Sequence, residues 1–342
     1  MPLLPFLHKV VAAEKLTKQE AFAAMEAILS GETSAPLIAA FLVALRTRGE
    51  DAGELAGFAA AMRQHAIPVP LALSSRPLLD TCGTGGDGAE TFNISTVAAF
   101  VAAGAGVRVA KHGNRSLTSR CGSADVLERL GVPLLHSPDA VARAIEEVGI
   151  GFLFAPAFHP AVRHVMPVRK ELRMRTVFNL LGPLVNPAKA SCQLVGAPGP
   201  AEARMMAAAL ADLGLGRSYV VHGSDGLDEI TTTGPTLVLE VENGQVREWQ
   251  FEPASLGISL AGAAELRGGD VEENAAIALS ILSGQSGRMR EIVLVNAAFA
   301  ISAGHPEMDL EAAFGMATDS VDSGKALARL DALRDFAQAA GV

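Results

Sequence analysis

The sequence predicts an α/β protein with a small N-terminal α-helical domain and a larger α/β domain. The larger domain is expected to have a mostly parallel central sheet and a helical C-terminal part. Residues 1–67 contain helical patterns without strands, residues 77–222 alternate short apolar runs with helical stretches, and residues 270–340 return to helices. Short apolar runs that alternate with helices are typical of a parallel sheet covered on both faces.

The composition is that of a folded globular chain and argues against two classes of protein. Of the 342 residues, 49% are hydrophobic and 19% are charged, which excludes disorder as the main state. The net charge of −9 argues against a nucleic-acid-binding protein, because such proteins usually need a basic surface. An anionic ligand would therefore require positive charge that is concentrated at its site.

Cysteine usage and hydropathy predict the compartment. Cys82, Cys121 and Cys192 have no paired spacing that would indicate a disulfide framework or a zinc site. The N-terminus lacks a long apolar segment followed by a cleavage site. No window offers about 20 uninterrupted apolar residues for a membrane span. We therefore expect a reduced, cytoplasmic protein without membrane contact.

Capping residues and a linker organise the N-terminal part. Candidate caps precede three predicted helices: Thr17, Ser34 and Asp51. Thr17 and Glu20 have the spacing of a capping box. We predict a helical domain over residues 1–67, a proline-containing linker over 68–76 and the α/β domain over 77–342. Some helices of the C-terminal half are expected to pack on the helical domain.

The elements of the α/β domain follow in order along the chain. Strands are predicted at residues 77–81, 107–110, 151–154, 191–195 and 218–222. Helices are predicted from Ser95, at 123–130 and at 138–148. Asn243 and Gly244, within the alternating residues 236–252, predict the turn of an antiparallel hairpin.

A glycine-rich run, residues 80–87 (DTCGTGGD), follows the first predicted strand. Glycines let backbone N–H groups approach phosphate oxygens, and the N-terminus of the next helix adds donors and a favourable dipole. Asn93, Ser95 and Thr96 lie at that terminus with side chains that can contact phosphate or metal. The run matches neither a Walker A sequence nor GxGxxG, and alone it is also compatible with a tight structural turn.

A second anion-binding pattern, residues 111–119 (KHGNRSLTS), follows the strand predicted at 107–110. Arginine can hold phosphate bidentately, and lysine acts as a compact charge. Alone, this segment is also compatible with a solvated basic turn, and Ser123 beyond it with a helix cap. Because the two loops follow successive strands, we expect them to face each other across one cleft.

Asp228 and Glu229 are adjacent carboxylates in a predicted loop. Such a pair suits Mg²⁺, which usually binds through one or two carboxylates and the phosphates of a substrate. The alternative interpretation is an acidic surface turn, which is the commoner role of an isolated Asp-Glu pair.

Basic residues in the segment 169–173 (RKELR) follow His159. One of these arginines could pair with a substrate carboxylate, although the spacing does not select which one. A solvated helix face is the alternative interpretation. His159, taken alone, is typical of a structural histidine with its hydrogen bonds satisfied.

Six motifs in this order resemble anthranilate phosphoribosyltransferases of tryptophan biosynthesis: GTGGD, NIST, KHGNRS, SADVLE, FNLLGPLVNP and GLDE. The resemblance covers nearly the whole chain. It implies a helical domain beside an α/β domain, an active site in the cleft between them, and a homodimer formed through the helical domain. The implied reaction joins anthranilate to phosphoribosyl pyrophosphate (PRPP) and releases pyrophosphate.

The resemblance also implies a role for each motif. The residues implied to contact PRPP are Gly83, Gly86, Asp87, Thr91, Asn93, Ile94, Ser95, Thr96, Lys111, His112, Gly113, Asn114, Arg115, Ser116, Leu117, Thr118, Ser119 and Ser123. Those implied to contact anthranilate are Gly83, Asn114, His159 and Arg169, which would face the carboxylate. Those implied to serve Mg²⁺ are Ser95, Asp228 and Glu229. Neither acid–base nor covalent catalysis is expected, and Lys111 would stabilise the leaving pyrophosphate electrostatically.

Three other functions remain as alternatives. A nucleoside phosphorylase of the same fold would use free phosphate as the nucleophile, but Asp228-Glu229 and Asn114-Arg115 favour the transferase. A nucleic-acid-binding relative without synthetic activity should have a strongly basic surface, which the net charge does not suggest. A non-catalytic dimeric scaffold would have no need of two phosphate loops.

Overall fold

The computed structural model describes residues 2–72, 76–85, 90–116 and 121–341. Four helices form the N-terminal domain: α1 (Leu4–Val11), α2 (Lys18–Leu29), α3 (Ala35–Arg48) and α4 (Ala52–His65). The capping box is confirmed, because the Glu20 backbone N–H donates to Thr17 Oγ1 over 3.2 Å and the Thr17 N–H donates to Glu20 Oε2 over 2.9 Å. Asp51 caps α4 by accepting from the Gly53 N–H at 3.0 Å.

The expectation that the Ser34 side chain caps α3 is wrong. Ser34 stands at the N-cap position, but its side chain makes no capping hydrogen bond. Pro36, the second residue of the helix, has no N–H to donate, and the Leu37 N–H donates to the Ser34 carbonyl instead, at 3.0 Å. Proline therefore replaces the hydroxyl cap as the local signal that starts this helix.

Seven strands form one sheet: β1 (Leu78–Gly83), β2 (Arg108–Gly113), β3 (Ile150–Phe154), β4 (Cys192–Gly196), β5 (Ser218–Gly223), β6 (Thr236–Glu242) and β7 (Gln245–Phe251). Their spatial order is β3-β2-β1-β4-β5-β6-β7. The first five pair in parallel, and β6 and β7 pair antiparallel, as predicted. Asn243 and Gly244 both have positive φ (51° and 75°), as a tight hairpin turn requires.

The remaining helices connect and cover the sheet: α5 (Ile94–Gly104), α6 (Ser123–Arg129), α7 (Pro138–Arg143), α8 (Ala155–Phe158), α9 (Met166–Leu172), α10 (Phe178–Leu181), α11 (Pro200–Asp212), α12 (Val271–Leu282), α13 (Arg288–Gly304), α14 (Leu310–Asp322) and α15 (Lys325–Ala339). The helix predicted at 138–148 is helical throughout, because a π-helical turn, Ala144–Val148, continues α7. Among the described residues, no helix is long and apolar enough to cross a membrane.

Alternate residues of the central strands face two separate cores. Tyr219 and Val221 pack into the core that contains α5 and α13, whereas Val220 between them packs into the core that contains the N-terminal helices. This alternation follows from the two-residue period of a strand. α4 packs against α11 on the second face, so the helical domain lies against one side of the sheet.

The strand order reverses at β1, which positions the site. The chain passes from β1 to β2 on one side and later places β4 on the other side of β1. In an open parallel sheet, such a reversal leaves a crevice at the carboxyl ends of the two central strands. Gly83 and Gly196, the last residues of β1 and β4, pair at that edge.

Candidate active site

Asp228 lies over the two glycines that end β1 and β4. A Cβ atom at Gly83 would stand 2.3 Å from Asp228 Oδ2, and one at Gly196 would stand 1.6 Å from the Asp228 carbonyl oxygen. Gly196 therefore needs glycine because its neighbour is backbone, whereas a side chain at Gly83 would have to displace the Asp228 carboxylate. Asp228 is buried and lies in the loop between β5 and β6, at the crevice.

The acidic pair connects the glycine loop to the start of α5. The Gly85 N–H donates to Asp228 Oδ2 over 2.7 Å, and the Ser95 N–H donates to Glu229 Oε1 over 3.2 Å. Adjacent carboxylates thus bind backbone donors of two separate segments. The structure brings together Gly83, Ser95, Asp228 and Glu229, which the sequence placed in three different motifs.

Lys111 lies beneath the start of α5. Its ammonium group donates to the carbonyl oxygen of Thr81 and to Ser95 Oγ at 3.3 Å. Burial lowers the pKa of Lys111, while the charges of Asp80, Cys82 and Glu229 oppose that shift. Lys111 is only 3% exposed, and its bond to Ser95 Oγ places the buried ammonium group beside the start of α5.

Asp80 supports the second loop from below the crevice. The backbone pairing between β1 and β2 is confined to Leu78 and Leu79 of β1. Beyond it, the His112 N–H donates to Asp80 Oδ1 over 3.0 Å, and Asn186 Nδ2 donates to Asp80 Oδ2 over 2.8 Å. Burial raises the pKa of Asp80, although these hydrogen bonds oppose the shift. Side chains therefore replace the backbone ladder where β2 enters the site.

His112 and His159 form a buried pair of neutral imidazoles. Their ring centroids lie 5.2 Å apart. Burial lowers the pKa of His112 to about 4 and that of His159 to about 3. His112 Nδ1 lies 3.2 Å from the carbonyl oxygen of Gly182, which can only accept, so Nδ1 carries the proton. Within the described part of the chain, Nε2 of each ring is buried without a hydrogen-bond partner.

Arg169 lies on α9, at the boundary with the helical domain. Its guanidinium carbon stands 5.3 Å from the centre of the Phe178 ring, and Nη1 stands 3.8 Å from Met166 Sδ. Burial lowers the pKa of Arg169. Unlike Arg115, it forms no ion pair with a described carboxylate, so its charge is available to an anionic ligand.

The second loop is held by acidic residues of α6. Arg115 pairs with Asp125 at 2.8 Å and with Glu128 at 2.6 Å, so it would have to exchange partners to bind phosphate. Ser123 is the first residue of α6 rather than its cap, and its hydroxyl donates to the Asn114 carbonyl over 3.2 Å. The Asn114 side chain accepts from the Arg115 N–H at 2.8 Å.

The other candidates of the first loop lie at the start of α5. Asn93 Nδ2 donates to the Cys121 carbonyl over 3.3 Å and thereby joins the two loops. Ile94 and Thr96 are buried at the first turn of the helix. Thr91 forms an isolated bridge with Arg267.

The second loop supplies the remaining candidates. Gly113 ends β2, where a Cβ would stand 2.3 Å from Ser123 Oγ. The Ser116 N–H donates to Asp125 Oδ2 over 3.4 Å. Five candidates from the sequence lie outside the described residues: Gly86, Asp87, Leu117, Thr118 and Ser119.

The sequence did not single out several residues that hold the site. Asn186 is part of the FNLLGPLVNP motif, yet nothing in its spacing indicated a bond to Asp80. Arg175 Nη2 donates to the Gly85 carbonyl over 3.2 Å from the segment before α10. Asn296 is a buried amide in an apolar helix, and this isolated polar residue was the one available signal. Gly196 had no signal beyond its place after a predicted strand.

Comparison with known proteins defines the class. The chain matches the helical bundle domain of a glycosyl transferase family over residues 4–66 and the α/β domain over residues 75–327. Together these two matches cover most of the chain and show that it belongs to a glycosyl transferase family. A relative named anthranilate phosphoribosyltransferase from Solibacter usitatus is 58% identical over 98% of this chain and 99% of its own length. The chain belongs to the anthranilate phosphoribosyltransferase family.

Further relatives agree with this assignment. The protein of that name from Moorella thermoacetica is 53% identical over 96% of both chains. The crystal structure of the Thermus thermophilus enzyme superposes with a TM-score of 0.91 at 44% identity, covering 99% of this chain and 100% of that one. The Saccharomyces cerevisiae enzyme in complex with PRPP and Mg has a TM-score of 0.90 at 30% identity, with 98% of each chain covered. The resemblance of the motifs is thus confirmed.

Proposed function

We propose that this protein transfers the phosphoribosyl group of PRPP to the amine of anthranilate, giving N-(5-phosphoribosyl)anthranilate and pyrophosphate in tryptophan biosynthesis. The observation that carries the proposal is the seating of Asp228 over Gly83 and Gly196 beside the N-terminus of α5. This arrangement combines backbone donors, a helix N-terminus and paired carboxylates at one sheet edge. Those groups suit a diphosphate and the hard cation that accompanies it.

The candidate metal residues fit magnesium. Asp228 and Glu229 offer two carboxylates, and Ser95, whose backbone N–H donates to Glu229, offers a hydroxyl. No group of three His, Cys, Asp or Glu side chains suited to a metal occurs among the residues with described positions. The two carboxylates and the hydroxyl support Mg²⁺ held by one or two carboxylates together with substrate phosphates. When bound, the ion would neutralise charge on the departing pyrophosphate.

The residues of this chain would then act mainly by positioning and electrostatics. In the reaction, the anthranilate nitrogen forms a bond to ribose C1 as the bond from C1 to the pyrophosphate oxygen breaks, and the nitrogen then loses one proton to solvent. The aromatic amine is uncharged near neutral pH, so no strong base is needed to create the nucleophile. Backbone N–H groups of the glycine loop and the ammonium of Lys111 would stabilise the leaving group. The remaining PRPP contacts are proposed for the two loops as the motifs imply.

Anthranilate would bind on the side of the crevice that faces the helical domain. Arg169 has a half-buried guanidinium without a described carboxylate partner, which suits the carboxylate of anthranilate. The neutral pair His112 and His159 would line the same side without placing a charge beside the aromatic ring. Gly83 and Asn114 are proposed to contact the amine end. The yeast relative has been solved in complex with 4-fluoroanthranilate, which supports an anthranilate as the second substrate.

We also propose a homodimer and a cytoplasmic location. Exposed apolar residues on the helical domain, Leu4, Val11 and Val43, support a second copy as partner. The three cysteines are buried, and no disulfide joins any of the described residues, which agrees with a reducing compartment. Sedimentation of the purified protein would test the dimer.

One assay tests the reaction. Purified protein is mixed with anthranilate, PRPP and Mg²⁺, and the loss of anthranilate fluorescence is followed, with PRPP omitted as the control. We expect a loss that requires both PRPP and Mg²⁺. An unchanged signal at every magnesium concentration would eliminate the transferase. Phosphate-dependent cleavage of a nucleoside by the same preparation would support the phosphorylase alternative instead.

A further inference from the structure

Asn296 is a buried amide in the middle of α13, far along the chain from every motif of the site. Helix residues on both sides of it are apolar, and its side chain is fully buried. Burying an amide in such surroundings is unfavourable unless its hydrogen bonds are satisfied. The partners of Asn296 therefore indicate what this residue does.

The Asn296 amide pairs with both backbone groups of Ile230. The Ile230 N–H donates to Asn296 Oδ1 over 3.0 Å, and Asn296 Nδ2 donates to the Ile230 carbonyl over 2.9 Å. The second hydrogen of Nδ2 is donated to the Ile292 carbonyl at 2.8 Å, one helical turn earlier. The Asn296 amide thus hydrogen-bonds both backbone groups of Ile230, as the backbone of a paired strand would. It fixes Ile230 of the loop to helix α13.

Ile230 directly follows the acidic pair. On the other side of the pair, the Gly223 N–H donates to the Leu227 carbonyl over 2.9 Å and closes a turn. The side chains of Leu227 and Ile230 are both buried in the core that contains α13. Asp228 and Glu229 therefore lie between a hydrogen-bonded turn and Ile230, whose backbone is held by Asn296.

We propose that Asn296 is a positioning residue for magnesium use, because it fixes the backbone from which Asp228 and Glu229 reach the crevice. This inference rests on the proposed role of that pair as magnesium ligands. Asn296 does not touch the substrates or the reacting atoms. Losing a group that orients a metal ligand typically lowers metal affinity or activity by about 10-fold to 100-fold.

Ser302 provides a matched control on the same helix. It is also fully buried, and its hydroxyl lies 3.1 Å from the Tyr219 hydroxyl on β5. Ser302→Ala removes a buried polar contact of α13 without touching the loop that carries the acidic pair. A general loosening of α13 should therefore affect Ser302→Ala and Asn296→Ala alike.

The experiment compares wild type, Asn296→Ala and Ser302→Ala in two measurements. One is the magnesium dependence of the rate at saturating PRPP and varied anthranilate, and the other is Mg²⁺ binding by isothermal titration calorimetry in the presence of PRPP without anthranilate. For Asn296→Ala we expect the half-saturating Mg²⁺ concentration to rise roughly 10-fold or more, with the KM for anthranilate little changed. Ser302→Ala should keep the wild-type magnesium profile. Asn296→Ser, whose hydroxyl is too short to reach both groups of Ile230, should shift the profile in the same direction.

Two results would overturn the proposal. One is a folded Asn296 variant whose magnesium profile matches that of Ser302→Ala. The other is the failure of both Asn296 variants to fold, since Asn296 would then be a residue of the fold alone. Failure of the proposed function has a different signature, namely a wild-type protein that does not use PRPP, or a magnesium profile that does not respond to Asp228→Asn.

Discussion

Asp228 Oδ2 occupies the space that a side chain at Gly83 would need. The distance from an ideal Cβ at Gly83 to this oxygen would be 2.3 Å, and the next nearest atom is the Asp228 carboxyl carbon at 2.9 Å. The end of β1 and the loop after β5 are thus in contact because one of the two residues has no side chain. The phosphate loop and the acidic pair are in this sense one structural unit.

The substitution Gly83→Ala tests that unit. The added methyl group must push the Asp228 carboxylate away from Gly85, because the backbone of a central strand cannot move easily. We expect the rate at limiting magnesium to fall sharply, with a stability loss of roughly 1–3 kcal/mol from overpacking. Gly315→Ala is the control, because a Cβ at Gly315 on α14 would meet nothing within 4 Å. A Gly83→Ala enzyme with wild-type kinetics would show that Asp228 can be displaced without consequence.

The carboxylate of Asp228 is predicted to be needed for its charge. Asp228→Asn keeps an oxygen that can accept from the Gly85 N–H, but it removes the negative charge that would attract Mg²⁺. We expect the half-saturating Mg²⁺ concentration to rise by about 10-fold or more. The measurement is a magnesium titration of the initial rate. Asp139→Asn, at an exposed position in α7, controls for the change in net charge and should leave the titration unaltered.

Arg169 is predicted to contribute to the binding of anthranilate and not to that of PRPP. Arg169→Ala removes a charge-assisted bond to the anthranilate carboxylate. This loss corresponds to about a 10-fold to 100-fold rise in the KM for anthranilate. The KM for PRPP should change much less. Lys170→Ala, at the exposed neighbouring position on α9, should change neither constant. Equal increases in both KM values for Arg169→Ala would remove the residue from this role.

The sequence predicted those features that local chemistry decides. Thr17 and Glu20 form their capping box because both partners lie within one helical turn. The common edge of the glycine loop and the Lys111 loop followed from strand order, since the carboxyl ends of parallel strands meet at one edge. Ser34 stands at the N-cap as predicted but makes no side-chain bond there, because Pro36 has no N–H and the Leu37 N–H donates to the Ser34 carbonyl.

Features that tertiary packing decides could not be predicted in this way. The close approach of Asp228 to Gly196 joins segments that are separated by an entire strand and helix. Asn186 and Asn296 bind partners on distant elements, and no sequence pattern indicates the hydrogen-bond partner of an asparagine side chain. The direction of the Lys111 side chain depends on burial beneath α5, which its position in a basic motif does not reveal.

The buried histidine pair is predicted to make stability depend on pH. Burial lowers the pKa of His112 to about 4, whereas an unfolded histidine has a pKa of about 6.5. Between these values the unfolded chain binds more protons than the folded one, so acidification favours unfolding. The stabilising contribution is complete above about pH 6.5 and is lost as the pH falls towards 4.

Urea unfolding of the wild type and of His112→Gln at pH 7.5 and pH 5 measures this contribution. In the wild type, His112 should reduce the free energy of unfolding by about 2 kcal/mol over that interval, and His112→Gln should be less sensitive to pH by that amount. His8→Gln, at an exposed position in α1, should retain the full wild-type sensitivity. If His112→Gln and His8→Gln lose stability equally on acidification, the imidazole of His112 is protonated as readily in the folded protein as in the unfolded chain.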